Sequence, residues 1–218
     1  MLPFRFDPAT DSPTILFLGA HCDDIEIGCG GTVMELCERL PKASIHWLVL
    51  SSNAERKAET LEAARRMMGE ERLGDVVVES FRDGFLPYEG AAVKEAFEAT
   101  KGRISPDLIF THYRHDLHQD HRLVNELTWN TWRNHAILEY EIPKWDGDLG
   151  QPNTFVPLTE ARIDEKAEII LEAFPSQASK AWLDRDTLRA LPRLRGMEAN
   201  APDRFAEAFY ARKLSLAF

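Results

Sequence analysis

The sequence predicts an α/β fold: a Rossmann-like, mostly parallel sheet flanked by helices, with the active site at the carboxyl ends of the strands. Three observations predict it. Short apolar runs alternate with helical stretches of about a dozen residues, the pattern of right-handed βαβ units. Two short segments dense in imidazoles and carboxylates each follow such a run; they are His21-Cys22-Asp23-Asp24-Ile25-Glu26 and Asp116-Leu117-His118-Gln119-Asp120-His121. In a parallel sheet, ligands collect beyond the carboxyl ends of the strands, so the two segments are expected to share one cleft.

The elements follow in order. Thr14 to Gly19 is an apolar run of strand type, and Gly28 to Gly31 leads into a helical pattern over Thr32 to Leu40, ended near Pro41. A second strand is expected at Ser44 to Leu50, then a helix from Asn53 to Met68 closed by Gly69. Val76 to Val78 reads as a third strand, Gly90 to Lys101 as a helix, and Asp107 to Thr111 as a fourth strand. After His121 the pattern stays helical to about His135. Strands at Ile137 to Ile142 and Thr154 to Pro157 flank a loop over Lys144 to Asn153, rich in turn formers. Glu160 to Phe174 is an amphipathic helix, and the tail from Asp184 to Phe218 is expected to be helical.

With 218 residues, the chain suits a single domain over 1–218. The net charge of −10 argues against a nucleic-acid partner, because a phosphate backbone is bound by cations. No apolar run approaches the ~20 residues of a membrane span, so no membrane insertion is expected. The segment MLPFRFDPATDSP lacks the basic and apolar regions of a secretory signal. The three cysteines, Cys22, Cys29 and Cys37, form no CxxC pair, which suggests reduced thiols and a cytoplasmic location. Cys22 lies inside the first segment, so ligation by its thiolate is considered; Cys29 and Cys37 read as packing residues. A homo-oligomer is left open.

A catalytic zinc takes three protein ligands and leaves a position for water. His21, Asp24 and His121 supply such a set, and two imidazoles with one carboxylate equally suit ferrous iron. Asp23 then remains beside the ion as a carboxylate able to take a proton from water whose pKa is lowered towards ~7. His118, one helical turn before His121, is a candidate to stabilise an oxyanion. Spacing alone does not settle the ligands. His112 and His115 extend the histidine ladder, with His112 expected to bond backbone, and Glu26 is an alternative to Asp24. Asp116 and Asp120 are candidates to accept the second N–H of the imidazoles. The glycines at 28–31 read as a close helix–sheet packing device, since GxGxxG is absent.

The segment GAHCDDIEIGCGGT at 19–32, with DLHQDH at 116–121, resembles the LmbE-like, or PIG-L, N-deacetylases. Arg56-x-x-Glu59, Ala63, Met68-Gly69, the FRDGFL segment at 81–86, and Lys166 with Ser176-Gln177 extend the resemblance across most of the chain. It implies a metal-dependent hydrolase with Zn2+, or Fe2+ or another divalent ion, that removes an acetyl group from a small N-acetylglucosamine-type sugar or glycoside. It also implies His21, Asp24 and His121 as metal ligands and Asp23 as general base. His118, protonated, would stabilise the oxyanion, and Asp120 would orient His118. Arg56 and Asp83 would contact sugar hydroxyls. This chain departs from the family at Cys22 and Ile25, where Pro and Glu are common, with the acid displaced to Glu26. Two other readings compete. One is a nucleotide-binding Rossmann-type oxidoreductase, disfavoured by Ser51-Ser52-Asn53 where a ribose-binding acid is expected. The other is a non-catalytic metal-binding module.

Overall fold

The computed structural model describes residues 11–215, so the first ten residues of the N-terminal reading and the last three of the tail lie outside it. Seven strands form one sheet in the order β3-β2-β1-β4-β5-β7-β6. They are β1 Thr14–His21, β2 Ser44–Ser51, β3 Val76–Phe81, β4 Leu108–His112, β5 Ala136–Tyr140, β6 Thr154–Leu158 and β7 Phe205–Ala211. The first five run parallel, while β7 is antiparallel to both β5 and β6. The helices are α1 Asp24–Arg39, α2 Ala54–Met68, α3 Gly90–Arg103, α4 Gln119–Thr131, α5 Glu160–Ala173 and α6 Arg185–Glu198. None of the described helices is long and apolar enough to cross a membrane.

Both faces of the central strands are buried, which is why they read as continuous apolar runs instead of alternating ones. Ile15, Phe17, Ile45, Trp47, Val49 and Phe110 pack on one side with Val33, Met67 and Ile170 from α1, α2 and α5. Leu16, Leu18, Leu48, Leu50 and Ile109 pack on the other with Val93, Phe97 and Val124 from α3 and α4. Each such side chain contributes about 1.5–3 kcal/mol on burial, so the sheet is a rigid platform. Strand order reverses direction at β1 and β4, which pair directly. That switch point opens a crevice at the strands' carboxyl ends.

Two expectations about elements are corrected. The first helix begins at Asp24 and not at Thr32, and it is kinked at Cys29, whose φ is −149°. Beyond the kink, the N–H groups of Gly31 and Thr32 donate to the Glu207 carboxylate at 2.9 and 2.6 Å. Lys166 balances that charge at 2.7 Å and also donates to the Ile27 carbonyl at 2.6 Å. The glycines serve close packing: an added Cβ would overlap the Tyr140 ring at Gly28 and stand 2.6 Å from Leu158 at Gly31. The tail is helical only over α6. Asn200 and Arg204, at φ 50° and 60°, then reverse the chain into β7, whose first six residues are buried without regard to side. A slot between β5 and β6 overrides the helix preference of its alanines.

Candidate metal and catalytic site

The turn from β1 into α1 presents the first segment. Cys22 and Asp23 make this turn, and Asp23 has φ 127°, a conformation that costs a non-glycine residue about 1–3 kcal/mol. The second segment crosses the crevice from β4 to the start of α4, where His118 caps the helix by accepting from the Asp120 N–H at 3.3 Å. The two segments meet over the β1–β4 pair. His21 Nδ1 lies 3.2 Å from His121 Nε2, His21 Nδ1 lies 3.4 Å from Asp24 Oδ2, and His121 Nε2 lies 3.5 Å from Asp24 Oδ1. A tetrahedral ion with bonds of roughly 2.0–2.1 Å spaces its donor atoms about 3.3 Å apart. The donor set therefore fits a divalent ion.

Carboxylates stand behind both imidazoles. His121 Nδ1 is 2.9 Å from Asp116 Oδ2, and His21 Nε2 is 3.1 Å from Asp120 Oδ2 and 3.2 Å from Asp83 Oδ1. Such partners fix the ring and its tautomer and leave the other nitrogen for an ion. Asp120 also accepts from the Gly84 and Leu86 N–H groups at 2.8 and 3.2 Å. The role expected for Asp120 is corrected here: its carboxylate orients His21, and it meets His118 only through its backbone N–H. Lys144 lies 2.9 Å from Asp116 and 2.5 Å from Asp148, and Asp148 accepts from Leu117 N at 2.6 Å. The 144–148 loop is thus latched to the back of His121, while Trp145 points to solvent at 81% exposure.

The electrostatics separate the roles. Asp24 is buried, which alone would raise its pKa, yet His121 and His112 hold it well below the usual carboxylate range. Burial, reinforced by His112, lowers His121 to about 4, so it is neutral and free to ligate. For His21, burial works downward, but hydrogen bonds to Asp120, Asp24 and Asp83 outweigh it and raise the pKa well above 6.5. Burial raises Asp23 to about 6, against the pull of Arg56, whose Nη2 is 3.0 Å from Asp23 Oδ2. His118 is lowered by burial and by His21. With Nδ1 accepting from Asp120 N, its proton sits on Nε2. The protonated His118 expected from the sequence is therefore revised to a neutral N–H donor.

His112 Nε2 accepts from the Ala20 N–H at 3.0 Å, the backbone bond expected of it, and lies 3.2 Å from Asp24 Oδ2, while the ring stacks on His121 at 3.9 Å. Other candidates fall away. Cys22 stays a thiol: burial pushes it up to about 11, and its Sγ faces the Ser51 carbonyl. Glu26 is fully buried without a hydrogen-bond partner for either oxygen among the described residues. Burial raises it to about 8, and it belongs to none of the donor clusters among the described residues. The glycines at 28–31 lie inside α1 against side chains and form no phosphate-cradling turn. Among the described residues, donor clusters also form from His21, His118 and His121, from Asp24, His112 and His121, and from His21, Asp83 and Asp120; His118 lines the cleft.

The cleft above these groups holds about 650 Å3, the size of a small-molecule site. Arg56 and Asp83 line it, as expected. Arg56 is held between Asp23 and Glu59, the latter 3.8 Å away, and Glu59 also accepts from Ser176 N and Oγ at 2.8 and 2.7 Å. This explains the paired Arg56-x-x-Glu59 and Ser176 signals. Arg82 and Lys180 also line the cleft and were not singled out by the sequence. Arg82 lies within the FRDGFL segment, where Asp83 drew the reading, and Lys180 is a basic residue in a loop with no pattern to mark it.

A Rossmann-like sheet with imidazoles and carboxylates gathered at the β1–β4 switch point defines a class of α/β proteins with a candidate ion site on an open crevice. Within that class, the chain belongs to the PIG-L (GlcNAc-PI de-N-acetylase) family, whose model matches residues 16–132. Membership supports a deacetylase. Solved structures share the fold. A conserved protein of Thermus thermophilus is 21% identical with a TM-score of 0.70, covering 94% of this chain and 97% of its own. The N,N'-diacetylchitobiose deacetylase of Pyrococcus horikoshii is 20% identical with a TM-score of 0.68, covering 91% and 83%. The 4-carboxy-2-hydroxymuconate hydratase of Pseudomonas putida is 16% identical with a TM-score of 0.70, covering 94% and 98%.

Proposed function

We propose that this chain is a divalent-metal-dependent N-deacetylase acting on a small N-acetylglucosamine-type sugar or glycoside. One observation carries the reading: His21 Nδ1 and His121 Nε2 stand 3.2 Å apart, and each lies within 3.5 Å of one of the two Asp24 carboxylate oxygens, with the Asp23 carboxylate left over on a strained turn beside them. Family membership and a deacetylase among the structural neighbours point the same way. The ion is proposed as Zn2+, with Fe2+ or another divalent metal suiting the same ligands. When bound, it supplies Lewis-acid polarisation of the amide carbonyl and acidifies water.

The chain's own groups supply the rest. Asp23, raised by burial to about 6, is a carboxylate at pH 7 with a pKa suited to taking a proton from the attacking water and returning it to the departing amine. Arg56 keeps it anionic and oriented. The neutral His118 donates Nε2–H to the oxygen that gains charge in the tetrahedral state. Asp120 and Asp116 hold His21 and His121 in their ligand tautomers. Arg56 and Asp83 are proposed to meet sugar hydroxyls. Residues 1–218 are proposed to act as one deacetylase domain in the cytoplasm, without nucleic-acid or membrane partners and open to homo-oligomer formation.

The test is amine release from a panel of N-acetylated sugars by metal-quantified protein, with and without chelator. Chelator-sensitive release from at least one sugar is expected. Full metal occupancy with no release from any of them would overturn the reading in favour of a non-catalytic metal-binding module.

A further inference from the structure

We infer that Arg82 and Lys180 form a subsite for an anionic group, a phosphate or carboxylate, carried by the molecule whose amide is hydrolysed. The inference rests on the deacetylase reading for the bond that breaks, and on the cleft's charges for the rest. Four cations line the cleft, Arg56, Arg82, Lys144 and Lys180, with four carboxylates, Asp23, Asp24, Glu55 and Asp83. Most of these charges are committed. Arg56 pairs with Asp23 and Glu59, Lys144 with Asp116 and Asp148, and Asp24 and Asp83 both face His21. Arg82 and Lys180 remain, opposed by Glu55 alone, and neither forms an ion pair among the described residues.

Packing positions both groups while leaving their donors free. The Arg82 guanidinium lies over the Phe85 ring at 3.5 Å, and a guanidinium stacked by its face keeps its N–H edge for bidentate oxyanion contact. Lys180 Nζ stands 5.5 Å from the centre of the Trp182 ring, and its backbone N–H is tied to the Gln177 carbonyl at 2.9 Å. Lys180 acts electrostatically on both Asp23 and Asp83 without pairing with either, so the subsite lies on the general base's side of the cleft. On a chain of net charge −10, the overall field repels anions. Arg82 and Lys180 supply positive charge on the cleft lining against that field.

The test compares kcat/KM of the metal-loaded enzyme for N-acetylglucosamine, N-acetylglucosamine 6-phosphate and N-acetylglucosaminuronic acid. The enzyme is taken as wild type and as the Arg82→Gln/Lys180→Gln double variant, in ~20 to ~300 mM salt. Both positions are exposed, so the variant keeps its fold, checked by its melting temperature. The expected result is at least a roughly tenfold preference for one or both anionic sugars, reduced by salt and mostly lost in the double variant. The ratio between the two anionic sugars assigns phosphate or carboxylate. Equal use of the neutral sugar, or a preference the double variant retains, would overturn the subsite and leave the deacetylase reading standing. If no sugar is deacetylated, that reading fails, and calorimetric binding of glucosamine 6-phosphate decides the subsite. Binding several-fold weaker in the double variant supports it; equal binding overturns it.

Discussion

Two buried carboxylates a few residues apart illustrate how position decides role. Asp23 sits at the mouth of the turn with Arg56 3.0 Å away and is ionised at neutral pH, whereas Glu26 is sealed behind it without a partner among the described residues. If Asp23 is the base, Asp23→Asn lowers kcat by roughly 10²-fold or more while bound metal, measured by atomic absorption, stays stoichiometric. The acid limb of the wild-type pH profile should also fall at or below about 6, since a bound cation pulls the carboxylate lower still; the Asn variant loses that limb. Near-normal turnover in Asp23→Asn would assign the base elsewhere. Glu26 makes a stability prediction of opposite character. Its folded pKa, about 8, exceeds the ordinary 4.5. Between those values the unfolded chain is ionised there and the folded chain is not, so stability is lost as pH rises. Glu26→Gln, which does not titrate, should gain on wild type by on the order of 1 kcal/mol per pH unit from pH 5 to 8. Parallel denaturation curves at pH 5 and 8 would refute it.

The elements show why part of the site was legible and part was not. The metal-binding and base candidates fall in two contiguous segments at strand ends, so local chemistry and the parallel-sheet rule together assemble them. The carboxylates behind the imidazoles are different. Asp120 is adjacent to His121 and two residues from His118, yet its side chain turns to His21 because the Gly84 and Leu86 N–H groups draw it there. That is a tertiary choice with no local signature. The same holds for β7, whose alanine-rich sequence favours helix until the gap between β5 and β6 is known. The kink in α1 is a third instance: glycines at 28–31 announce close packing, but only Glu207, far along the chain, shows where the freed N–H groups go. This packing is testable. Gly28→Ala pushes a methyl into the Tyr140 ring, whose hydroxyl donates to the Leu18 carbonyl at 2.6 Å, so neither side gives way freely. A loss of about 1–3 kcal/mol is expected from urea unfolding. An unchanged midpoint would mean that α1 shifts on the sheet without cost.

At the scale of the molecule, an ion held as proposed by His21, Asp24 and His121 would tie the β1–α1 turn to the start of α4, at a site that only the folded chain assembles. Anything that binds the native state alone stabilises it, by about 2.7 kcal/mol at a hundred times its Kd, or roughly 5–10 °C in Tm for a chain of this size. Protons compete for the same nitrogens. The pKa of His21 is raised in the metal-free fold, so its protonated form stabilises that fold fully below about 6.5, and the contribution is lost as pH rises through the raised value. Binding an ion must displace this proton. Both effects widen the gap: as pH rises, the metal-free protein loses the contribution of the His21 proton while competition of protons for the ion's ligands fades. The Tm difference between chelated and metal-loaded protein should therefore widen from pH 6 to pH 8. Asp24→Asn and His121→Gln should abolish the difference and Asp23→Asn should preserve it, which separates ligands from base without any substrate. A metal-dependent rise in Tm that survives Asp24→Asn would move the ion to a set without Asp24, either His21, His118 and His121 or His21, Asp83 and Asp120; loss of the rise in His118→Gln would select the first and its persistence the second.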